Sequence, residues 1–404
     1  FQVPVSDYSL SLRSFTSNKG EAVTIGEKPT IALVNPEASM RMALGEALTN
    51  MSGVVITGLN NVQVSANWMA ASGENSDDLA LRSGVEALSK IAIDLKVSIP
   101  VGKDSLSMRT KWSEKSRDFE VSCPLSGIVT AMAPVEDVTD SVTPELNLNE
   151  NTCLLLVKLE DENRLAGSIF SEVTQSTYKQ TPDIENIDKF KNLFNTIQNL
   201  VKNKKILAMH DISDGGLITT LLEMCFTKKI GMRVNMGETT LLNAALFSEE
   251  IGFVIQVEKN NIEEISKVFL KDNIFIKEIA ELDDKTFSIV HNNLKIFDKS
   301  IIELEKVWRE TSYAIQSVRD NKVIADSELS LLEDKKYAGL KTNISFDESQ
   351  IKTFNTKNSL PKVAVLREQG VNGQNEMAAA FTLAGFDAYD VHMQDLLDGN
   401  TSLK

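Results

Sequence analysis

The stretch His210–Cys225, HDISDGGLITTLLEMC, sets two carboxylates, a histidine, a serine and two adjacent glycines at a junction. It follows the apolar, strand-like run Ile206–Met209 and leads into an apolar helix pattern. Ligands of open α/β sheets bind beyond the carboxyl ends of the strands. Asp211 stands there and can hold a Mg²⁺ that bridges to phosphate. Gly215 and Gly216 can leave backbone N–H groups free at a helix start, a seat for a phosphate. An ordinary strand-to-helix turn accounts for the same residues, with Ser213 as cap and Asp214 facing the positive end of the helix dipole. His210 reads as a structural strand-end residue more readily than as a catalyst.

Three other places carry chemistry-bearing residues. Glu46 and Asn50 of GEALTN are four apart and share one helix face, two oxygen ligands for a hard cation or a plain solvated face. The segment PVGKDSLSM offers Lys103, Asp104 and Ser105 after the strand-like KVSI. It reads as a phosphate-contacting loop or as a loop with a local ion pair, and it lacks the glycine spacing of a P-loop. Asp7 follows the strand-like start FQVPVSD, with nothing local to single it out. The loop EQGVNGQ, after KVAVLR, lacks the full dinucleotide fingerprint.

These residues need strands and helices to position them. PTIALVN reads as a strand, Pro36–Met51 as a helix opened by proline, NVQVSANW as a strand, and SDDLALRSGVEALSKIAIDL as a capped helix with acids in its first turn. SGIVTAMAPV is a further strand, and EDVTDSVTPELNLNEN a connector. A second α/β unit opens with TCLLLVKL, holds the helix IENIDKFKNLFNTIQNLVKN and the strands EEIGFVIQVE, FIKEIAEL, TFSIVH and LKIFDKS, and closes with the helix IIELEKVWRETSYAIQSVRD. Residues 319–360 are polar and read as an irregular linker. From Pro361 a new unit starts, strand KVAVLR, helix NEMAAAFTLAG and strand FDAYDVHM, the first βαβ of a doubly wound domain. Some forty residues do not bury a full sheet face, so the rest of that domain is expected outside this sequence.

The 404 residues carry 42 Lys plus Arg against 57 Asp plus Glu, a net charge of −15. Such a surface repels nucleic acid and anionic membranes, so a phosphate-bearing ligand has to be held through metal ions and helix N-termini. No run of about 18 apolar residues spans a membrane. The three cysteines are scattered and read as buried thiols of a cytoplasmic protein. The chain begins at Phe1 and is read as a piece of something longer.

Taken in order, PVSD, GEALTN, SANWMAA, IPVGKDSLSM, SCPLSG, HDISDGGL and KVAVLREQGVNGQNEMAAAFTLAGFDAYDVHM closely resemble the large single-chain form of the phosphoribosylformylglycinamidine synthase family, the purine-pathway amidotransferases. The resemblance implies an α/β (α+β) chain with aminoimidazole ribonucleotide synthetase-like subdomains at 1–137 and 138–318, a linker at 319–360, and the incomplete first βαβ of a glutaminase domain at 361–404. It implies a carbon–nitrogen ligase that converts formylglycinamide ribonucleotide to the amidine, using ATP and glutamine-derived ammonia. ATP phosphorylates the amide oxygen and ammonia then displaces it. By the same resemblance Asp7, Glu46, Asn50 and Asp211 hold Mg²⁺, Ser6 and Ser213 contact ATP or ADP, and Lys103, Asp104 and Ser105 face substrate or phosphate. Its other partners would be glutamine, through the missing domain, and the remainder of the polypeptide. No cysteine follows Cys225, so the glutaminase nucleophile is expected elsewhere and this chain alone is expected to be inactive. A non-catalytic Mg-nucleotide scaffold stays open as the other reading. Aminoimidazole ribonucleotide synthetase or selenophosphate synthetase fits the superfamily but not the tail from Pro361.

Overall fold

The computed structural model describes residues 1–404 except 1, 2, 4, 5, 15, 16, 284, 335, 338, 340–342 and 348–359. The strand-like start of FQVPVSD therefore lies largely outside the described residues; Ser6 and Asp7 are within them. The chain divides into two units, Phe1–Asp334 and Lys335–Lys404.

The first unit holds two large sheets and a separate two-stranded one. Its leading part comprises β1 (Ser9–Ser14), β2 (Ser17–Gly26), α1 (Pro29–Ala32), α2 (Pro36–Met51), β3 (Gln63–Met69), α3 (Asn75–Leu95), β4 (Ser98–Ser105), the hairpin β5 (Arg109–Glu114) and β6 (Arg117–Ser122), and β7 (Ser126–Val135). Five strands form one sheet in the order β1-β2-β7-β3-β4, with β3 and β4 parallel. Alternate residues of β7 are buried, as a half-covered strand requires. The following part comprises β8 (Thr152–Lys158), α4 (Ile169–Val173), α5 (Ile187–Lys202), β9 (Ala208–Asp211), α6 (Gly216–Lys228), β10 (Gly231–Gly237), α7 (Leu242–Phe247), β11 (Gly252–Glu258), α8 (Ile262–Lys271), β12 (Phe275–Asp283), β13 (Thr286–His291), β14 (Leu294–Ser300), α9 (Ile301–Arg319) and α10 (Lys322–Ser330). Its seven strands run in the order β14-β13-β10-β12-β8-β11-β9.

Helix α2 joins the two sheets. Asn35 caps it by accepting the Ala38 N–H at 3.0 Å, and Pro36 needs no donor partner in the first turn. Met40, Leu44, Ala47, Leu48 and Met51 are fully buried, and they share one core with Val129 of β7 and Phe253 of β11. Arg41 grips Asp183 through two nitrogens at 2.7 and 2.6 Å, a fork that fixes α2 against the second sheet's connections. A second core lies between α6, β10, β13 and α9, around Leu221, Met224, Val234 and Phe287.

Several readings change. PTIALVN is a helical turn, α1, and not a strand: Ile31 and Ala32 are buried while Leu33 and Val34 face out, and the chain turns at once into the Asn35 cap. PVGKDSLSM is no loop through Ser105. Lys103, Asp104 and Ser105 continue β4 beside Asn67, Trp68 and Met69, with Lys103 and Asp104 exposed. Gly102 lies against the Ala66 carbonyl, so its missing side chain serves strand packing. Helix α3 has its acids in the first turn but no side-chain cap; Asp78 instead takes the Gly73 N–H and the Ser72 hydroxyl. The 319–360 stretch is not wholly irregular, because α10 forms in it, capped by Asn321.

The second unit pairs β15 (Lys362–Arg367) and β16 (Asp387–His392) in parallel, with α11 (Gln374–Leu383) between them and α12 (Met393–Leu397) after them. This is the βαβ expected, and Val365 is its one buried residue among those described.

Candidate nucleotide and cation site

Strand β9 lies at the sheet edge and ends on Asp211, which is 2% exposed. The turn beyond it is closed by the Gly216 N–H on the Ser213 carbonyl at 2.9 Å. Gly215 and Gly216 have φ of 83° and 71°, and a side chain on Gly216 would meet the Phe247 backbone at 2.6 Å. Both glycines are thus required by the turn and by a close backbone crossing.

Their N–H groups are not free for phosphate. Gly215 N–H donates to Glu249 Oε1 at 3.0 Å, and that same oxygen takes the Ile169 N–H at 2.9 Å. A buried carboxylate already sits at the start of α6. Nor does Ser213 cap that helix; the cap position is Gly215, and the Ser213 hydroxyl donates to Glu46 Oε1.

The expected ligands divide into two groups. In the first, His210 Nδ1 lies 2.9 Å from Asp7 Oδ1 and 3.3 Å from Asp211 Oδ1. Ligand atoms of these three residues all fall within 4.8 Å of one another. Asp211 Oδ2 and Ser6 Oγ are buried without a hydrogen-bond partner. Burial raises the Asp211 carboxyl above its ordinary range, although His210 and Lys28 pull the other way. Burial opposes the His210 imidazolium, yet Asp7, Asp211 and Glu223 together raise its pKa well above the ordinary value.

In the second group, Glu46 accepts the Glu27 N–H at 2.7 Å and faces Lys28 Nζ at 3.1 Å. Its carboxyl is raised, chiefly by burial, against the pull of Lys28. Asn50 does share the Glu46 face of α2, but its amide donates to the Ile25 carbonyl at 2.9 Å and so anchors β2. Among the described residues no hydrogen bond or ion pair joins the side chains of Lys103, Asp104 and Ser105 to either group; they pair along β4 with Asn67, Trp68 and Met69.

Sequence reasoning missed Lys28, Glu223 and Glu249. The doubled acid Glu249-Glu250 beside the apolar strand GFVIQV is a signal that buried carboxylates need partners. Lys28 gives no such signal.

An acidic pair of carboxylates with an unpartnered buried oxygen fits a hard cation such as Mg²⁺, which prefers one or two carboxylates and completes its shell with phosphate oxygens and water. Asp7 and Asp211 meet that requirement in this structure.

The fold is that of a chain with PurM-like N- and C-terminal domains that runs into a short glutamine amidotransferase region. Residues 1–134 match the FGAR-AT PurM N-like domain, 150–292 the C-terminal domain of AIR synthase related proteins, and 360–404 the CobB/CobQ-like glutamine amidotransferase domain. The chain belongs to the phosphoribosylformylglycinamidine synthase family. Among solved structures it is similar in fold to Thermotoga maritima PurL complexed with FGAR, at 11% identity and a TM-score of 0.57 over 74% of this chain and 46% of that one. The T. maritima PurL complexed with ATP gives 12% identity and a TM-score of 0.53 over 70% and 44%. The HypE–HypF complex gives 13% and 0.50 over 72% and 92%. The chain therefore spans under half the length of the PurL chains it matches.

Proposed function

We propose that this chain binds a nucleoside di- or triphosphate with Mg²⁺ at the end of β9. In this reading it is part of an amidotransferase that converts formylglycinamide ribonucleotide to the amidine with ATP and glutamine-derived ammonia. The observation that carries the binding is the unpartnered, buried Asp211 Oδ2 beside Asp7. Asp7 and Asp211 would hold the cation, with Glu46 and Asn50 of α2 as the further ligands implied by family resemblance. Ser6 Oγ, which lacks a partner, and the Ser213 hydroxyl would reach the nucleotide. When bound, Mg²⁺ offsets the phosphate charge, which is how a chain of net charge −15 holds an anion. The names of similar PurL structures, complexed with FGAR and with ATP, support the substrate classes, and the amidotransferase match at 360–404 supports glutamine as donor.

One observation favours a nucleotide held as a scaffold over turnover in this half. The Gly215 and Gly216 N–H groups at the start of α6 are already taken by Glu249 and by the turn, so these two donors are not offered to charge developing on a transferring phosphate.

Calorimetric titration of Mg-ATP and Mg-ADP into the chain tests the binding. Asp211→Asn is expected to weaken it at least about tenfold, the scale on which one charge-assisted contact counts. In chelator-treated protein the same variant should be neutral or mildly stabilising, because it relieves a buried carboxylate. Full affinity in Asp211→Asn overturns the reading.

A further inference from the structure

Helix α2 brings Glu46 and Asn50 to the site, so its seat against the second large sheet and its connections decides where they lie relative to Asp211. Two residues of one helix face make that seat. Arg41 and Gly45 are four apart and share the face. Arg41 donates through two guanidinium nitrogens to the two oxygens of Asp183, at 2.7 and 2.6 Å, and Asp183 is buried. A side chain on Gly45 would come within 2.4 Å of Ile184 Cδ1 and 3.0 Å of Ile251 Cδ1, both buried. The helix thus lies on residues 183, 184 and 251 as closely as a glycine permits, one position before Glu46.

The same footings lead to the turn after β9. The Asp183 carbonyl accepts an N–H of Arg164 at 3.3 Å, and Arg164 forks the two oxygens of Glu250 at 2.8 and 2.9 Å. Glu250 stands between Ile251, which lies under Gly45, and Glu249, which holds the Gly215 N–H. One strip, residues 249–251, therefore meets both the helix that carries Glu46 and the turn that carries Ser213. An arginine fork on a carboxylate fixes orientation as well as distance, which a lysine does not.

We infer that Arg41 and Asp183 are positioning residues of the nucleotide and cation site: their fork, with the Gly45 seat, sets Glu46 and Asn50 of α2 against Asp211 at the end of β9. The inference rests on the Mg-nucleotide reading above. A fork that only joined two parts of the fold would lower stability when broken and would leave the affinity of the folded chain unchanged.

The test measures Mg-ADP affinity by calorimetry and stability by urea unfolding, both on the full chain. Arg41→Lys keeps the charge and loses the fork. Its affinity should fall about 10- to 100-fold, the range for groups that orient a metal ligand from behind. Gly45→Ala should also lose at least about tenfold, although the helix preference of alanine offsets part of the overpacking it causes. Leu193→Ala, which opens a cavity in the same core but on α5, should lower stability and keep the affinity. A folded Arg41→Lys with wild-type affinity overturns the inference. So does a Leu193→Ala that loses as much affinity as Arg41→Lys, because the loss would then follow stability alone. If Arg41→Lys does not fold, Gly45→Ala decides by the same criterion. A wild-type chain that binds no Mg-ADP overturns the underlying nucleotide reading and this inference with it, a result distinct from those of the variants.

Discussion

Glu223 Oε2 lies 2.9 Å from His210 Nε2, and the other Glu223 oxygen accepts the Trp308 indole N–H at 2.9 Å. Helices α6 and α9 thereby hold the imidazole that stands between Asp7 and Asp211. Glu223→Ala leaves both nitrogens without this partner and is expected to cost about 1–3 kcal/mol of stability. As an outer support of a cation site it should also lower Mn²⁺ affinity about 10- to 100-fold. Urea unfolding and Mn²⁺ titration measure the two effects. Unchanged affinity together with lost stability would make the contact purely structural.

Gly216→Ala should destabilise the chain by about 1–3 kcal/mol, through a left-handed backbone forced on alanine and a clash with the Phe247 backbone at 2.6 Å. Gly237 has a similar φ of 68°, but only the flexible end of Lys277 lies near, at 3.4 Å. Gly237→Ala is therefore the milder control. Equal losses in chemical denaturation would refute the crossing as the reason for Gly216.

Burial raises the Glu249 carboxyl, against the pull of Lys28 and of the two backbone N–H groups it accepts. A raised folded-state pKa means that the folded chain holds this proton more tightly than the unfolded one. The stability it contributes is present in full below the unfolded value of about 4.3 and is lost as pH rises through the folded value. Glu249→Gln keeps an oxygen for both N–H groups and removes the titration. It should match or exceed wild-type stability at pH 8 and lose that margin near pH 4. Thermal unfolding at the two pH values checks the sign, and a variant clearly weaker at pH 8 would contradict it.

Strand β8 is buried at every position in the middle of its sheet, whereas β15 and β16 form a two-stranded pair with one buried residue among those described. Amide exchange should be at least roughly a hundredfold slower in β8 than in β15 and β16, since protection follows local stability. Comparable protection would show that the second unit is held by more than its own contacts.

The sequence by itself was enough for elements whose burial is periodic or continuous. The helix Pro36–Met51 announces itself by its cap, its proline and its apolar spacing, and β8 by an unbroken apolar run. The βαβ from Lys362 is legible for the same reason, and the ordered motifs were enough to point to the family. Asp211 was legible as the acid ending a strand before a glycine turn. The partners of these residues were not. Lys28 and Asp214 are 186 positions apart, and Ser213 and Glu46 are 167 apart. No local pattern encodes which buried charge meets which. Tertiary structure decided that Glu46 is held by a lysine, that Glu249 fills the helix start read as a phosphate seat, and that Lys103 lies on a strand. The physical reason is that propensity and periodicity act between near neighbours, whereas neutralising a buried charge requires an opposite charge within a few ångströms, and packing alone brings the two together.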